Sequence, residues 1–189
     1  MIDYFQMPSW NPSRERKEIE SVAFDWCSGL ELNLKHFSLP LPDSGGSQLQ
    51  HAIDMRQHVF TCPGSDIFIL TDSDMLPFTK EQVDLGIKTI TENPEFAILS
   101  AWPEPHWIDS IKLEGREVIK TADINETYSC GGMRFCRKVP GLVCPPDLVK
   151  GYDGRFCRHL WREHGMRVGY MPKVKAFHLG AHCSTLWGD

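Results

Sequence analysis

The chain holds 189 residues, 41% of them hydrophobic and 24% charged, with a formal net charge of -5. A domain of that size buries about 70% of the surface its unfolded chain exposes, so it can stand without disulfide or metal staples. The acidic balance argues against a nucleic-acid partner, which needs a broad basic face; the basic residues cluster locally instead, in Arg134 to Lys138 and Arg155 to Lys175, as a small anion site requires.

In chain order, Ile2 to Met7 reads as a first strand, closed by the breaker-rich Pro8-Ser9-Trp10-Asn11-Pro12-Ser13. Asn11 or Ser13 caps a helix through about Cys27, with Ile19, Val22, Ala23 and Trp26 at helical spacing. A second strand, Glu31 to Leu39, runs into a loop from Pro40 to Ser47. A helix from about Gln48 to Thr61 precedes a strand beginning near Asp66. Another, Thr79 to Glu92, follows it, with Thr79 as cap and Glu81 and Gln82 in its first turn. Phe96 to Trp102 is a further apolar strand, and Ile108 to Ile119 has the pattern of a hairpin turning at Glu114-Gly115. Gly131-Gly132 leads into a basic strand, a helix runs from about Asp153 to His164 with Gly165 as its αL cap, and Met166 to Met171 is a short strand. The β-α-β-α-β-α-β order predicts a single α/β domain with a mainly parallel sheet.

Seven cysteines (Cys27, Cys62, Cys130, Cys136, Cys144, Cys157, Cys183) are scattered without any C-x-x-C pair, and their number is odd. That pattern argues against a disulfide framework or a structural zinc, and for reduced thiols in a cytoplasmic protein. No signal-peptide core opens the chain and no apolar run approaches ~18 residues, so no transmembrane segment is expected. One domain of a longer polypeptide would have the same features.

The segment Asp66 to Asp74 carries the chemistry. Ile67-Phe68-Ile69-Leu70 is apolar throughout and rich in β-branched and aromatic residues, the signature of a strand buried on both faces. Asp72 and Asp74 follow it at the carboxyl end, where open α/β sheets bind ligands. Two hard oxygen ligands at i and i+2 suit Mg²⁺ or Mn²⁺ holding a diphosphate. Asp-Ser-Asp after a strand is also ordinary turn chemistry.

Asp66 to Asp74, then Cys130-Gly131-Gly132-Met133-Arg134-Phe135-Cys136-Arg137-Lys138, then Gly151-Tyr152-Asp153-Gly154-Arg155, then Gly165 to Pro172 and His178, resembles in order and spacing the nucleotide-sugar glycosyltransferases of the GT-A fold, family-2-like. The resemblance covers most of the chain. It implies one Rossmann-like GT-A domain over 1–189, with a nucleotide-binding half at 1–100 and an acceptor and catalytic half at 101–189. It also implies a nucleotide-sugar donor and a glycan acceptor as partners.

On that resemblance Asp72 and Asp74 hold the cation, His178 completes its coordination with His182 as second candidate, and Ser73 lies beside the donor ribose or sugar. Asp153 matches the base of inverting members, although Tyr152 and Arg155 stand where the motif has further acids. Pro8, Ser9 and Trp10 would flank the nucleotide base, Asp43 would contact the nucleoside, and Arg56, or Arg14, would reach the base or diphosphate. Gly131 and Gly132 permit close backbone approach to the donor sugar. Trp107 and Tyr152 fall on the acceptor side, and Trp161 is expected in the core. Two other classes compete: a nucleotidyltransferase, against which the absence of glycine from Pro8 to Ser13 counts, and a non-catalytic carbohydrate- or nucleotide-binding domain.

Overall fold

The computed structural model describes residues 2–7, 25, 29–30, 33–36, 56–72, 75–77, 79–101, 117–127, 132–144 and 152–178; for residues 6–7, 33–36, 76–77, 152–153 and 177–178 it describes the backbone only. The strands in chain order are β1 (Asp3–Met7), β2 (Asn33–His36), β3 (Ile67–Asp72), β4 (Met75–Pro77), β5 (Phe96–Ser100), β6 (Asn125–Glu126), β7 (Met133–Arg137), β8 (Arg167–Tyr170) and β9 (Ala176–His178). A helical segment over residues 56–61 is α1; α2 spans Lys80–Glu92 and α3 spans Tyr152–His164.

Seven strands form one open sheet in the order β2-β1-β3-β7-β5-β8-β6, and β4 pairs with β9 in a separate ribbon. The pairings β1–β2, β1–β3 and β5–β8 are parallel, whereas β3–β7, β5–β7 and β6–β8 are antiparallel. The α/β class is as expected, but the sheet is mixed rather than mainly parallel. β7, together with the short β6 beyond β8, causes the difference. β7 enters between β3 and β5 from the edge where they end, and an antiparallel strand can do so without the crossover helix a parallel one needs.

Burial follows the pleat. Along β3, Phe68 and Leu70 join a core with Phe5, Val59, Phe60, Cys136, Phe156 and Leu160, under α1 and α3. Ile69 faces the other way, into a second core with Tyr4, Val83, Ile90, Leu99 and Phe135, under α2. Phe60 meets Phe68 and Phe156 edge-on, with ring centroids 5.1 and 5.5 Å apart, a favoured aromatic geometry. The apolar run is therefore a strand covered on both faces by helices.

Helix ends obey local rules. The Thr79 hydroxyl accepts the Gln82 amide at 3.3 Å as N-cap of α2, and its hydrogen bond with Glu81 holds that carboxyl below the usual range. Gly165, at φ 66°, takes the left-handed cap after α3. The Gln82 side chain does not close a capping box, because its carbonyl oxygen accepts the Lys175 amide at 2.7 Å and so ties α2 to the approach of β9. Thr121 and Ile124 make a tight turn, with the Thr121 amide donating to the Ile124 carbonyl at 2.7 Å. The turn expected at Glu114-Gly115 lies outside the described residues, as does most of the helix expected up to Cys27, of which Asp25 is helical.

Gly86 sets the distance between α2 and the sheet. A Cβ added there would come within 2.3 Å of the Phe135 ring, which is fully buried in β7. Gly86→Ala should therefore lower stability in urea unfolding: forcing a methyl into a packed core costs about 1–3 kcal/mol, which outweighs the roughly 1 kcal/mol that alanine returns in helix propensity. A more stable variant would show that α2 can lift off Phe135.

Candidate functional site

Five strands, β1, β2, β3, β5 and β8, deliver their carboxyl ends to one edge of the sheet. Met7 of β1 pairs with Asp72 of β3, and Ser100 of β5 pairs with Tyr170 of β8. β7 starts at the same edge, since Thr71 pairs with Met133 and Ser100 with Arg134. The Met133 carbonyl binds this corner together, accepting from the Ala101 amide at 2.9 Å and the Ser100 hydroxyl at 3.2 Å.

Asp72 is the acidic residue that closes β3 at that edge. One carboxylate oxygen accepts the Gly132 amide at 3.1 Å and the other accepts Nη1 of Arg134 at 3.1 Å, while the Asp72 amide donates to the Gly132 carbonyl at 3.3 Å. Gly132, at φ 64°, is in a left-handed conformation that suits glycine. The same Arg134 nitrogen donates to the Gly132 carbonyl at 3.1 Å. Burial is asymmetric: the Arg134 side chain is 3% exposed and that of Asp72 is 43% exposed. One side of the carboxylate is thus fixed by the protein and the other faces solvent. Sequence reasoning placed Arg134 in a basic cluster and missed this pairing; the signal was a charge set between Met133 and Phe135 in a strand whose neighbours are buried.

The β4–β9 ribbon flanks Asp72. Thr71 Oγ1 lies 3.1 Å from the carbonyl oxygens of both Asp72 and Met75, which ties the end of β3 to the start of β4. Met75, the residue after Asp74, pairs with His178 across the ribbon. Backbone register thus sets the His178 backbone opposite Met75; Ser73, Asp74 and the His178 side chain lie outside what is described.

α3 approaches from the α1 face. It ends at Gly165 and the chain turns straight into β8, the Met166 amide donating to the Leu160 carbonyl at 3.1 Å. The helix therefore runs back along the sheet, with its first turn, Tyr152 and Asp153, towards the carboxyl edge. Arg56 is buried in α1, its guanidinium 5.3 Å from the centre of the Phe156 ring in α3. Pro8, Ser9, Trp10, Asp43, Trp107, Gly131 and His182 lie outside the described residues, as do the side chains of Tyr152 and Asp153.

The basic clusters do not form one anion site. Arg134 serves Asp72, whereas Nη2 of Arg137 donates to the Ile90 carbonyl at the end of α2, 2.5 Å away. Lys138 lies four residues beyond Arg134, about 13 Å along the strand. Arg167 pairs with the buried Glu126 at 2.5 Å, and Lys173 with Asp123 at 2.7 Å. Trp161, expected in the core, is half-buried on the flank of α3 with the Arg167 guanidinium 5.5 Å from its ring centre. Helical spacing explains this, because the face holding Phe156, Cys157 and Leu160 turns Trp161 to its margin.

A carboxylate is a ligand type that hard divalent cations take. An ionised carboxylate has about four lone-pair sites, and among the described residues the donors to Asp72 are one amide and one guanidinium nitrogen. Oxygen ligation from the solvent side remains open, although the adjacent Arg134 charge lowers its strength. Among the described residues no group of three His, Cys, Asp or Glu side chains converges on one point. No helix among them is long and apolar enough to cross a membrane.

No family model and no curated protein sequence matches the chain. Solved structures similar to it include A197 from STIV, at 18% identity and a TM-score of 0.48, covering 94% of this chain and 85% of that one. Another is a glycosyltransferase involved in glycosylation of the major capsid of PBCV-1, at 14% identity and a TM-score of 0.40, covering 87% of this chain and 69% of that one. Scores of this size do not establish a shared fold.

Removing Asp72 should cost stability through the charge it leaves behind. Asp72→Ala takes this carboxylate from a buried guanidinium, at a cost of about 1–3 kcal/mol. Asp72→Ala combined with Arg134→Met should recover most of the loss, because replacing a buried charge pair with apolar atoms is close to neutral. Urea unfolding of the double variant and of both single variants, Asp72→Ala and Arg134→Met, measures this; a double variant as weak as the sum of the singles would mean that the pair is not coupled.

Proposed function

We propose that the chain is a metal-dependent glycosyltransferase that moves a sugar from a nucleoside-diphosphate donor, with a UDP-sugar as first choice, to a hydroxyl of a glycan with inversion at the anomeric carbon. The observation that carries the reading is the meeting of Asp72 with Gly132, just before β7, at one sheet edge, with the Met75–His178 ribbon continuing from β3. These segments lie far apart in sequence and each belongs to a motif of the GT-A resemblance.

In this reading Asp72, Asp74 and His178 hold Mn²⁺ or Mg²⁺, which when bound neutralises charge on the departing diphosphate. The protein's own part is positional. Arg134 and the Gly132 amide fix the Asp72 carboxylate, so its solvent-facing lone pairs keep a set direction before any ligand arrives. Gly132 keeps the backbone beside the carboxylate free of side-chain bulk, where the donor sugar would lie. Asp153, in the first turn of α3, receives the acceptor proton, and a carboxylate there gains from the positive end of the helix dipole.

Calorimetry of UDP with Mn²⁺ and then with EDTA tests the cation. Binding should be lost with EDTA and weakened by Asp74→Ala or His178→Ala; equal affinity throughout would sink the reading. Asp153→Asn should bind a UDP-sugar like the parent yet transfer ~10²- to 10⁴-fold more slowly. Full transfer activity in that variant, or a product that keeps the donor's anomeric configuration, would return Asp153 to a structural role at the helix start.

A further inference from the structure

We propose that Cys62 and Lys138 form an oxidation-dependent covalent pair, a sulfenamide bond between Sγ and Nζ made in the presence of hydrogen peroxide. Lys138 belongs to the basic strand singled out in the sequence, yet it sits at the sheet edge opposite Asp72. Its amide donates to the Asp66 carbonyl at 2.8 Å, just before β3 begins. Nζ of Lys138 lies 3.1 Å from Sγ of Cys62. Three further contacts hold it there: a hydrogen bond to the Val59 carbonyl, and the faces of Phe68 and Phe5, whose ring centres are 4.7 and 5.5 Å away.

Cys62 is suited to the sulfur half of the reaction. It is half-buried, just past α1 and next to the exposed Pro63 and Gly64, so a small oxidant reaches it; Cys136, Cys144 and Cys157 are buried. A sulfenic acid is commonly captured by a thiol or by a backbone nitrogen. The next residue is Pro63, which has no N–H. The amine held against sulfur is that of Lys138.

The chemistry balances in two steps. The thiol sulfur attacks one oxygen of the peroxide, the O–O bond breaks, an S–O bond forms and one water leaves; sulfur is oxidised by two electrons and the peroxide reduced by two. The Lys138 amine, having given its extra proton to solvent, then attacks the same sulfur. An S–N bond forms, the S–O bond breaks, and the oxygen departs as water with one proton from nitrogen. The sum is thiol plus amine plus peroxide giving sulfenamide plus two waters, and the protein loses two hydrogens. The bond would tie the end of α1 to the end of β7. Asp72 lies about 17 Å away along β3, so the proposal stands apart from the glycosyltransferase reading.

The test is peptide mass spectrometry of the whole chain after hydrogen peroxide, with proteolysis under non-reducing conditions. The expected product is a cross-linked pair of peptides holding Cys62 and Lys138, lighter by two hydrogens than their sum, released by dithiothreitol, and absent from Cys62→Ser and Lys138→Arg. A cross-link retaining one oxygen, a disulfide from Cys62 to another cysteine, or Cys62 recovered as free thiol or as sulfinic acid without the link would each overturn the proposal. Since the parent protein supplies the primary result, misfolding of a variant cannot mask it.

Discussion

A strand buried on both faces has no solvent side on which to carry charge, so β3 can present carboxylates only where it ends. Phe68, Ile69 and Leu70 fill two cores at once, and the Thr71 hydroxyl is taken up by the Met75 carbonyl at the start of β4. Asp72 is the first position on β3 at which a charge meets water, and it still needs Arg134 and Gly132 on its protein side. The position of the candidate site follows from that limit. The neighbouring strands end at the same level because they share the register of β3.

Elements that depend on local chemistry were legible in the sequence. Thr79 caps α2, Gly165 closes α3, and the apolar run is the twice-covered strand, because capping, left-handed glycine and hydrophobic patterning act within a few residues. Features set by distant partners were not. The antiparallel course of β7 depends on which edge the chain returns from. Pairing of β4 with β9 joins residues near the two ends of the motif set, and three-residue strands carry too little pattern to announce themselves. Trp161 was misassigned because volume and aromaticity say core, while its angle on the helix says margin.

The basic residues show the same division. Clustering along the chain suggested shared work, but a strand turns neighbouring residues to opposite faces and spreads them lengthwise. Arg134, Arg137 and Lys138 end up serving a carboxylate, a helix terminus and a pair of aromatic rings. Of the candidate edge, the position of Asp72 at the end of β3 and of Gly132 just before β7 was readable from sequence. The arginine that fixes the carboxylate was not, since it is recognised only by what it opposes.

The β4–β9 ribbon bears on when the site can exist. Met75 and His178 close the longest loop among the described pairings, and loop-closure entropy must be met before their hydrogen bonds contribute. The ribbon belongs among the slow, late contacts of folding. During synthesis β3 and its carboxylate leave the ribosome long before β9 does. A growing chain would thus hold half of the edge while lacking the strand that completes it, and any activity that needs both would begin only after nearly the whole described domain has been made.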